Sequence, residues 1–306
     1  MRSDMDIKNE MLRKILAGPF GWNLKPQILI ENKDDVSAEG QTLSTMDKGL
    51  SERAAQRLVA SEVNKQKNME DVIQRADEIL QMEPKGTSTS SEESDQGWVE
   101  ECLDGAGKAY NEDMKDYWAK LLAGEIKQPG FYSKRTINFM KSISQKDAEK
   151  IRSMCQYVMY TNDGTAPIIM RYKKAKYSYK ELSFLMELRL LDSSSTVVNQ
   201  LRFPGNNGHV FYRKNGAGFF LEIDKKEYDL PIYSFSELGK EVLSIIDDVE
   251  VNREYLKEFT TKITERDKSL HVSCGDLGEN EGSYYFIQNA NYFEMPENKG
   301  EVVDKK

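Results

Sequence analysis

The stretch Asn111–Asp147, NEDMKDYWAKLLAGEIKQPGFYSKRTINFMKSISQKD, is the most strongly patterned part of the chain and decides the fold class of its first half. Met114, Tyr117, Trp118, Leu121 and Leu122 recur at the three-and-four spacing of one buried helical face, while Asp116, Lys120 and Glu125 fall elsewhere on the wheel. Asn111 suits an N-cap, with Glu112 and Asp113 at the positive end of the helix. Gln128-Pro129-Gly130 stops the run. Ser133 then opens a short helix carrying Ile137, Phe139 and Met140, and Ser144 with Asp147 reads as a capping pair for a helix through about Tyr160.

Working outward towards the N-terminus, Trp98, Val99, Cys102, Leu103 and Ala106 make another helical face, whose end Gly105 and Gly107 weaken by up to about 1 kcal/mol each relative to Ala. Glu83–Gly97 is polar, Ser-rich and without a large aliphatic side chain, the composition of a linker. Before it, Leu50–Leu80 is helical, with Ala54, Leu58, Val63, Met69, Val72, Ile73, Ala76, Ile79 and Leu80 as its apolar stripe. Asn68 followed by Glu70 and Asp71 looks like a cap, so one helix broken there or two helices both fit. Helices joined by short loops point to an antiparallel helical bundle over residues 50–160. In the N-terminal segment 1–49, Met5–Leu16 suits a short amphipathic helix on Ile7, Met11 and Ile15, ended by Gly18-Pro19. Its acids argue for packing on the body rather than for a membrane anchor, which wants a basic polar face.

The C-terminal half reads as α+β, over residues 165–265. Ser178–Leu191 is a helix on Leu182, Leu185, Met186 and Leu188, after which the period shifts to two. Val197, Leu201 and Phe203, then Val210 and Tyr212, then Phe219, Leu221 and Ile223 suggest a meander of about three strands turning at Asn206-Asn207-Gly208 and Asn215–Gly218. Ser234 with Glu237 opens a helix on Leu238, Val242, Ile245, Ile246 and Val249, and Tyr255–Ile263 makes another. Residues 266–306 read as a poorly ordered tail with a strand at Tyr284–Gln288. A helix ending in ELRLL and followed by a hairpin resembles the recognition helix and wing of winged-helix domains.

Composition narrows the function classes. A 306-residue chain with 39% hydrophobic and 31% charged residues has enough material for two or three cores and no need of a metal or disulfide to fold. Cys102, Cys155 and Cys274 are scattered and odd in number, which suggests a reducing compartment. No membrane-spanning run or cleavable leader pattern is visible, so the expected location is cytoplasmic. A net charge of -8 argues against a protein that coats nucleic acid non-specifically. Between Gly130 and Leu190, however, twelve basic side chains stand against five acidic ones, about +7 locally. Within that stretch Arg171, Lys173, Lys174 and Lys176 precede the winged-helix-like segment, where phosphate contacts would position a duplex, and Tyr172, Tyr177 and Tyr179 either stack on bases or pack the fold.

The segments KQKNMEDVIQRADEIL at Lys65–Leu80, YWAKLLAGEIKQPGFYSKRT at Tyr117–Thr136 and DAEKI at Asp147–Ile151 together resemble the bacterial proteins grouped as domain of unknown function 2806. The resemblance runs from about Leu50 to Ile263. Its recurrent positions are Trp118, Leu121, Leu122, Gly124, Glu125, Pro129, Ser133, Arg135 and Thr136, and it implies no catalytic assignment for any of them. Related tryptophan-and-leucine helical modules resemble parts of bacterial anti-phage proteins, which implies a role in defence.

No catalytic signature is present: the chain lacks HExxH, CxxC, GxxxxGK[ST] and GxSxG. Of the two histidines, His209 adjoins a turn, and His271 with Cys274 falls two ligands short of a zinc site. Asp113 with Asp116, and Asp247 with Asp248, read as surface or helix-end charge, with a divalent-metal enzyme as the functional alternative. The QPG turn allows Glu125 and Arg135 to meet as a brace, or Arg135 and the helix start at Ser133 to form an anion site. Trp118 reads as core. The expectation is a mainly α protein with an α+β C-terminal part: a non-catalytic interaction or regulatory protein with a protein partner or a second copy of itself, nucleic acid as the alternative partner, and neither cofactor nor small-molecule substrate.

Overall fold

The computed structural model describes residues 45–82, 94–161, 167–172, 175–192, 200–204, 209–212, 217–280 and 283–286. The expectations for Met5–Leu16, for linker residues 83–93 and for Lys173 and Lys174 lie outside the described residues. The protein is mostly helical, with an antiparallel sheet in its C-terminal part, and divides into two compact units, Met1–Ser142 and Ile143–Lys306.

In the first unit, α1 (Thr45–Met82) is one continuous helix, and it packs against α2 (Gln96–Gly107) and α3 (Glu112–Lys127); α4 (Lys134–Ser142) packs against α2. Asn68 is therefore no cap. It lies inside α1 and donates its side-chain amide to the carbonyls of Gly107 and Ala109, tying the helix to the loop after α2. The start of α2 also corrects the linker boundary, because Asp95 accepts from the Trp98 amide and brings Gln96 and Gly97 into the first turn. Asn111 caps α3 as its sequence indicates, accepting from the Met114 amide at 2.8 Å. The core is built from Val72, Ile73, Ala76 and Leu80 of α1, Trp98, Cys102 and Leu103 of α2, Trp118, Leu121, Leu122 and Ile126 of α3, and Ile137 and Met140 of α4. Charge complements the packing: Lys115 reaches Asp71 at 2.7 Å, and Arg75 spans to Glu112 and Asp116, so both ties join α1 to α3.

The second unit begins with α5 (Gln145–Cys155), opened by a capping box between Ser144 and Asp147. It stops at Cys155 rather than near Tyr160, because Val158–Thr161 is strand β1. The strands β2 (Pro167–Met170), β3 (Gln200–Pro204), β4 (His209–Tyr212), β5 (Ala217–Ile223), β6 (Glu227–Ser234), β7 (Leu270–Asn280) and β8 (Ser283–Phe286) follow. Helices α6 (Tyr179–Glu187), α7 (Glu237–Ile246) and α8 (Arg253–Arg266) complete the unit. Ser236, not Ser234, caps α7, since Ser234 is the last residue of β6.

The expected three-stranded meander is replaced by one eight-stranded sheet in the order β3-β6-β2-β1-β4-β5-β7-β8, every pairing antiparallel. The consecutive strands β3 and β4 do not pair with each other: β3 pairs with β6, and β4 lies between β1 and β5. Nor does the C-terminal segment read as a tail, because β7 pairs with β5 from Ala217↔Asp276 to Ile223↔Leu270. The physical reason is burial. Phe219, Leu221 and Ile223 stand directly opposite Cys274, Val272 and Leu270 on one face, and α8 covers that face, its Phe259 ring 5.6 Å from Phe219. Tyr255 of α8 is fully buried, and its hydroxyl accepts the Met170 amide of β2 at 2.9 Å.

Candidate functional site

Three places on the molecule hold the residues that the sequence singles out, together with one that it does not. The first is the turn between α3 and α4. Trp118 is 2% exposed and lies over Gly105 of α2 so closely that a Cβ there would stand 2.3 Å from its ring. Gly124 admits Tyr132 in the same way, with 2.6 Å from a built Cβ to the phenol ring. Glu125, also 2% exposed, accepts the backbone amides of Gly130 at 2.7 Å and Tyr132 at 3.2 Å. Gly130 sits at φ 81°, the left-handed region that suits glycine and that aims its amide inward. Glu125 thus braces the loop through main-chain donors rather than through Arg135, which is exposed to solvent. The loop amides of Gly130 and Tyr132 hold a built-in carboxylate. Ser133 directly precedes α4, with the Thr136 amide donating to its carbonyl. The turn is a structural lock.

The second place is the basic run. Arg171 is exposed, its guanidinium 5.8 Å from the centroid of the Tyr233 ring. Lys176 is exposed too, and pairs with Glu254 at 3.2 Å. Beside Lys176 a shallow groove follows the outer side of α8, lined by Glu254, Lys257, Glu258, Thr261, Lys262 and Glu265. Its charges alternate in sign. Of the three tyrosines in the run, Tyr177 is buried and Tyr172 half-buried, and both join an aromatic cluster with Tyr157 and Tyr255. Burial pushes the phenols of Tyr172 and Tyr177 well above the usual range, and the Glu258 carboxylate adds to the rise at Tyr172. These two rings pack the fold, whereas Tyr179 is 78% exposed.

The third place is the N-terminal half of α1. Residues 50–64 are all exposed, although the apolar stripe read from the sequence runs through Ala54, Leu58 and Val63. Leu50 is 60% exposed, Leu58 63%, Val59 42% and Val63 47%. The face on which Val72 and Ala76 are buried and Met69 half-buried carries Ala55 and Leu58 farther back at heptad positions, with Glu62 and Lys65 between the two sets. Periodicity marked the stripe correctly, but periodicity cannot say where packing partners end.

Most of the remaining candidates are engaged in structure, while Asp113 is exposed in the first turn of α3. Asp247 accepts from the Tyr160 hydroxyl at 2.9 Å, Asp248 pairs with Arg152, and Asp116 pairs with Arg75. His271 and Cys274 lie on β7: the imidazole pairs with Asp224 at 2.8 Å, while the thiol is buried beside Thr260 and its pKa is pushed up to about 11 by burial. All three cysteines are free and buried. Among the described residues no group of three or more His, Cys, Asp or Glu is placed to hold a metal ion, and no helix is long and apolar enough to cross a membrane.

A family model described as protein of unknown function (DUF2806) matches residues 52–260. The chain belongs to this family. No curated protein and no solved structure matches it. The DUF2806 match takes in the exposed part of α1, the Trp118–Tyr132 lock and the basic run, and it ends within α8. Strand β7, paired with β5 over seven residues, follows the matched span.

Proposed function

We propose that this DUF2806 protein is a non-catalytic, cytoplasmic interaction or regulatory protein whose docking element is the exposed half of α1. One observation carries the reading: fifteen consecutive helical residues, 50–64, are solvent-exposed while displaying Leu50, Leu58, Val59 and Val63. The exposed apolar side chains of that stretch gain by being covered. The compact helical unit, which fits an antiparallel bundle, supplies the rigid base from which the arm extends. The test is purification of the full chain from its host at low salt, with and without nuclease, beside a Leu58→Glu/Val63→Glu variant. A protein partner or homo-oligomer that survives nuclease and is lost from the variant supports the reading; identical elution of both proteins sinks it. The defence role implied by the family resemblance is tested separately, by phage challenge of a deletion strain.

Nucleic-acid binding is the second reading, favoured by the exposure of Arg171 and Lys176 at the two ends of the basic run. Two features count against it. Carboxylates alternate with lysines along the neighbouring groove, and β3, the first strand after α6, pairs with β6 rather than with β4, although β4 and β5 do form a hairpin. Retention on DNA or RNA that falls with salt, and that reversal of Arg171, Lys173, Lys174 and Lys176 to Glu abolishes, would favour this reading over the first.

A further inference from the structure

The outer face of α8 is its own electrostatic complement. The groove along it holds three lysines and three glutamates, so it carries no net charge. Two of the pairs are closed within the molecule: Lys176 reaches Glu254 at 3.2 Å, and Lys262 reaches Glu258 at 3.8 Å. The other two groups, Lys257 and Glu265, are exposed and make no ion pair among the described residues. A neutral groove offers little to a polyanion or a polycation, and the charges it leaves open have opposite signs.

Spacing turns that into a geometric statement. Lys257 and Glu265 lie four residues to either side of Thr261, about 6 Å along the helix in each direction. All three stand on one four-residue ridge, on the side of α8 turned away from the buried Tyr255, Phe259 and Ile263. Thr261 donates its hydroxyl to the Lys257 carbonyl at 2.8 Å and so brings no unsatisfied donor to the centre. Turning such a ridge end for end exchanges its signs. A second α8 laid antiparallel across the first, with a two-fold axis at Thr261, therefore sets Lys257 of each copy against Glu265 of the other. A parallel arrangement would set Lys257 against Lys257. Farther out, Glu254 and Lys268 stand seven residues to either side of Thr261, again with opposite signs, and suit the same antiparallel arrangement.

We propose that the outer face of α8 is a self-association surface, on which a second copy of this chain docks antiparallel through reciprocal Lys257–Glu265 ion pairs. The contact is small and polar, so the dimer is transient and sensitive to salt. It is separate from the docking role proposed for the α1 arm and does not rest on it.

Charge exchange tests it in the full chain, with Leu58→Glu/Val63→Glu introduced throughout to remove association through the arm. Sedimentation equilibrium at low salt should show a concentration-dependent dimer that weakens as salt is added. Lys257→Glu alone, or Glu265→Lys alone, makes both contacts repulsive, and each variant should dimerise about tenfold more weakly. Combining the two exchanges in one chain should recover the original affinity. An equimolar mixture of the two single variants should dimerise more tightly than either alone, because each copy then meets its complement in the other; neither a folding defect nor a merely solvated pair gives that result. A monomer at every concentration, a dimer indifferent to the single exchanges, or a mixture no stronger than its components would overturn the proposal.

Discussion

The indole of Trp118 occupies the space that a side chain on Gly105 would fill, with its Cη2 and Cζ2 atoms 2.3 and 2.6 Å from the position of a Cβ. By propensity alone, Gly105→Ala should strengthen α2 by up to about 1 kcal/mol. We expect the reverse, a loss of about 1–3 kcal/mol, because neither the ring nor the helix backbone can retreat in a packed core. Urea denaturation checks this. The double variant Gly105→Ala/Trp118→Leu should be less destabilised than the sum of the two single variants, since the smaller side chain removes the clash.

Removing the Glu125 carboxylate should cost more than removing the Arg135 charge. Glu125→Ala leaves the Gly130 and Tyr132 amides without their acceptor in a buried turn, a loss of about 2–4 kcal/mol counting both donors. Arg135→Ala, at an exposed site, should stay within about 0.5 kcal/mol of the parent. Thermal melts of the two variants decide it; equal destabilisation would return Arg135 to the role of brace.

Asn68 is a test of tertiary bonding against local preference. Asn68→Ala raises helix propensity, yet it deletes two hydrogen bonds to the carbonyls of Gly107 and Ala109. The variant should lose about 1–2 kcal/mol. Amide exchange should also quicken around residues 107–110, as the loop after α2 loses its tie.

Acid should weaken the second unit partly through Asp267. The hydrogen bond from Lys225, reinforced by Ser269, holds its carboxyl at about 2, below the ordinary value of 3.8. A depressed carboxylate contributes stability that is fully present above its unfolded pKa and is lost as pH falls through the folded one. The parent should therefore lose this contribution between about pH 4 and about pH 2. Asp267→Asn should be less stable at pH 7 and show a shallower acid limb in a plot of melting temperature against pH.

The helical half of the fold was legible because its signals are local. The three-and-four spacing of Met114–Leu122 and the caps at Asn111 and Ser144 sit where the sequence places them. The sheet was not. Its pairings join residues far apart in the chain, such as Leu201 with Leu230 and Leu221 with Val272, and period-two alternation at Leu270, Val272 and Cys274 carries no mark of its partner. Among the candidate sites, Trp118 stood out through its pattern, whereas Glu125, set off the buried face by the sequence reading, is 2% exposed, because its acceptor role depends on main-chain amides that have no letter in the sequence. The arm was hidden for a related reason: an apolar stripe states what a helix offers and not what accepts it.

The strand order also sets a timetable for synthesis. The first unit closes through contacts between neighbouring helices, all within residues 45–142. The sheet cannot close so early. β5 waits for β7, whose residues Leu270–Asp276 leave the ribosome nearly fifty positions later, and until then one edge of β5 has no partner strand. A nascent chain stalled before Leu270 should thus carry a finished helical unit and an unfinished, chaperone-binding sheet, and release of the last β-strands should be the event that makes the second unit resistant to protease.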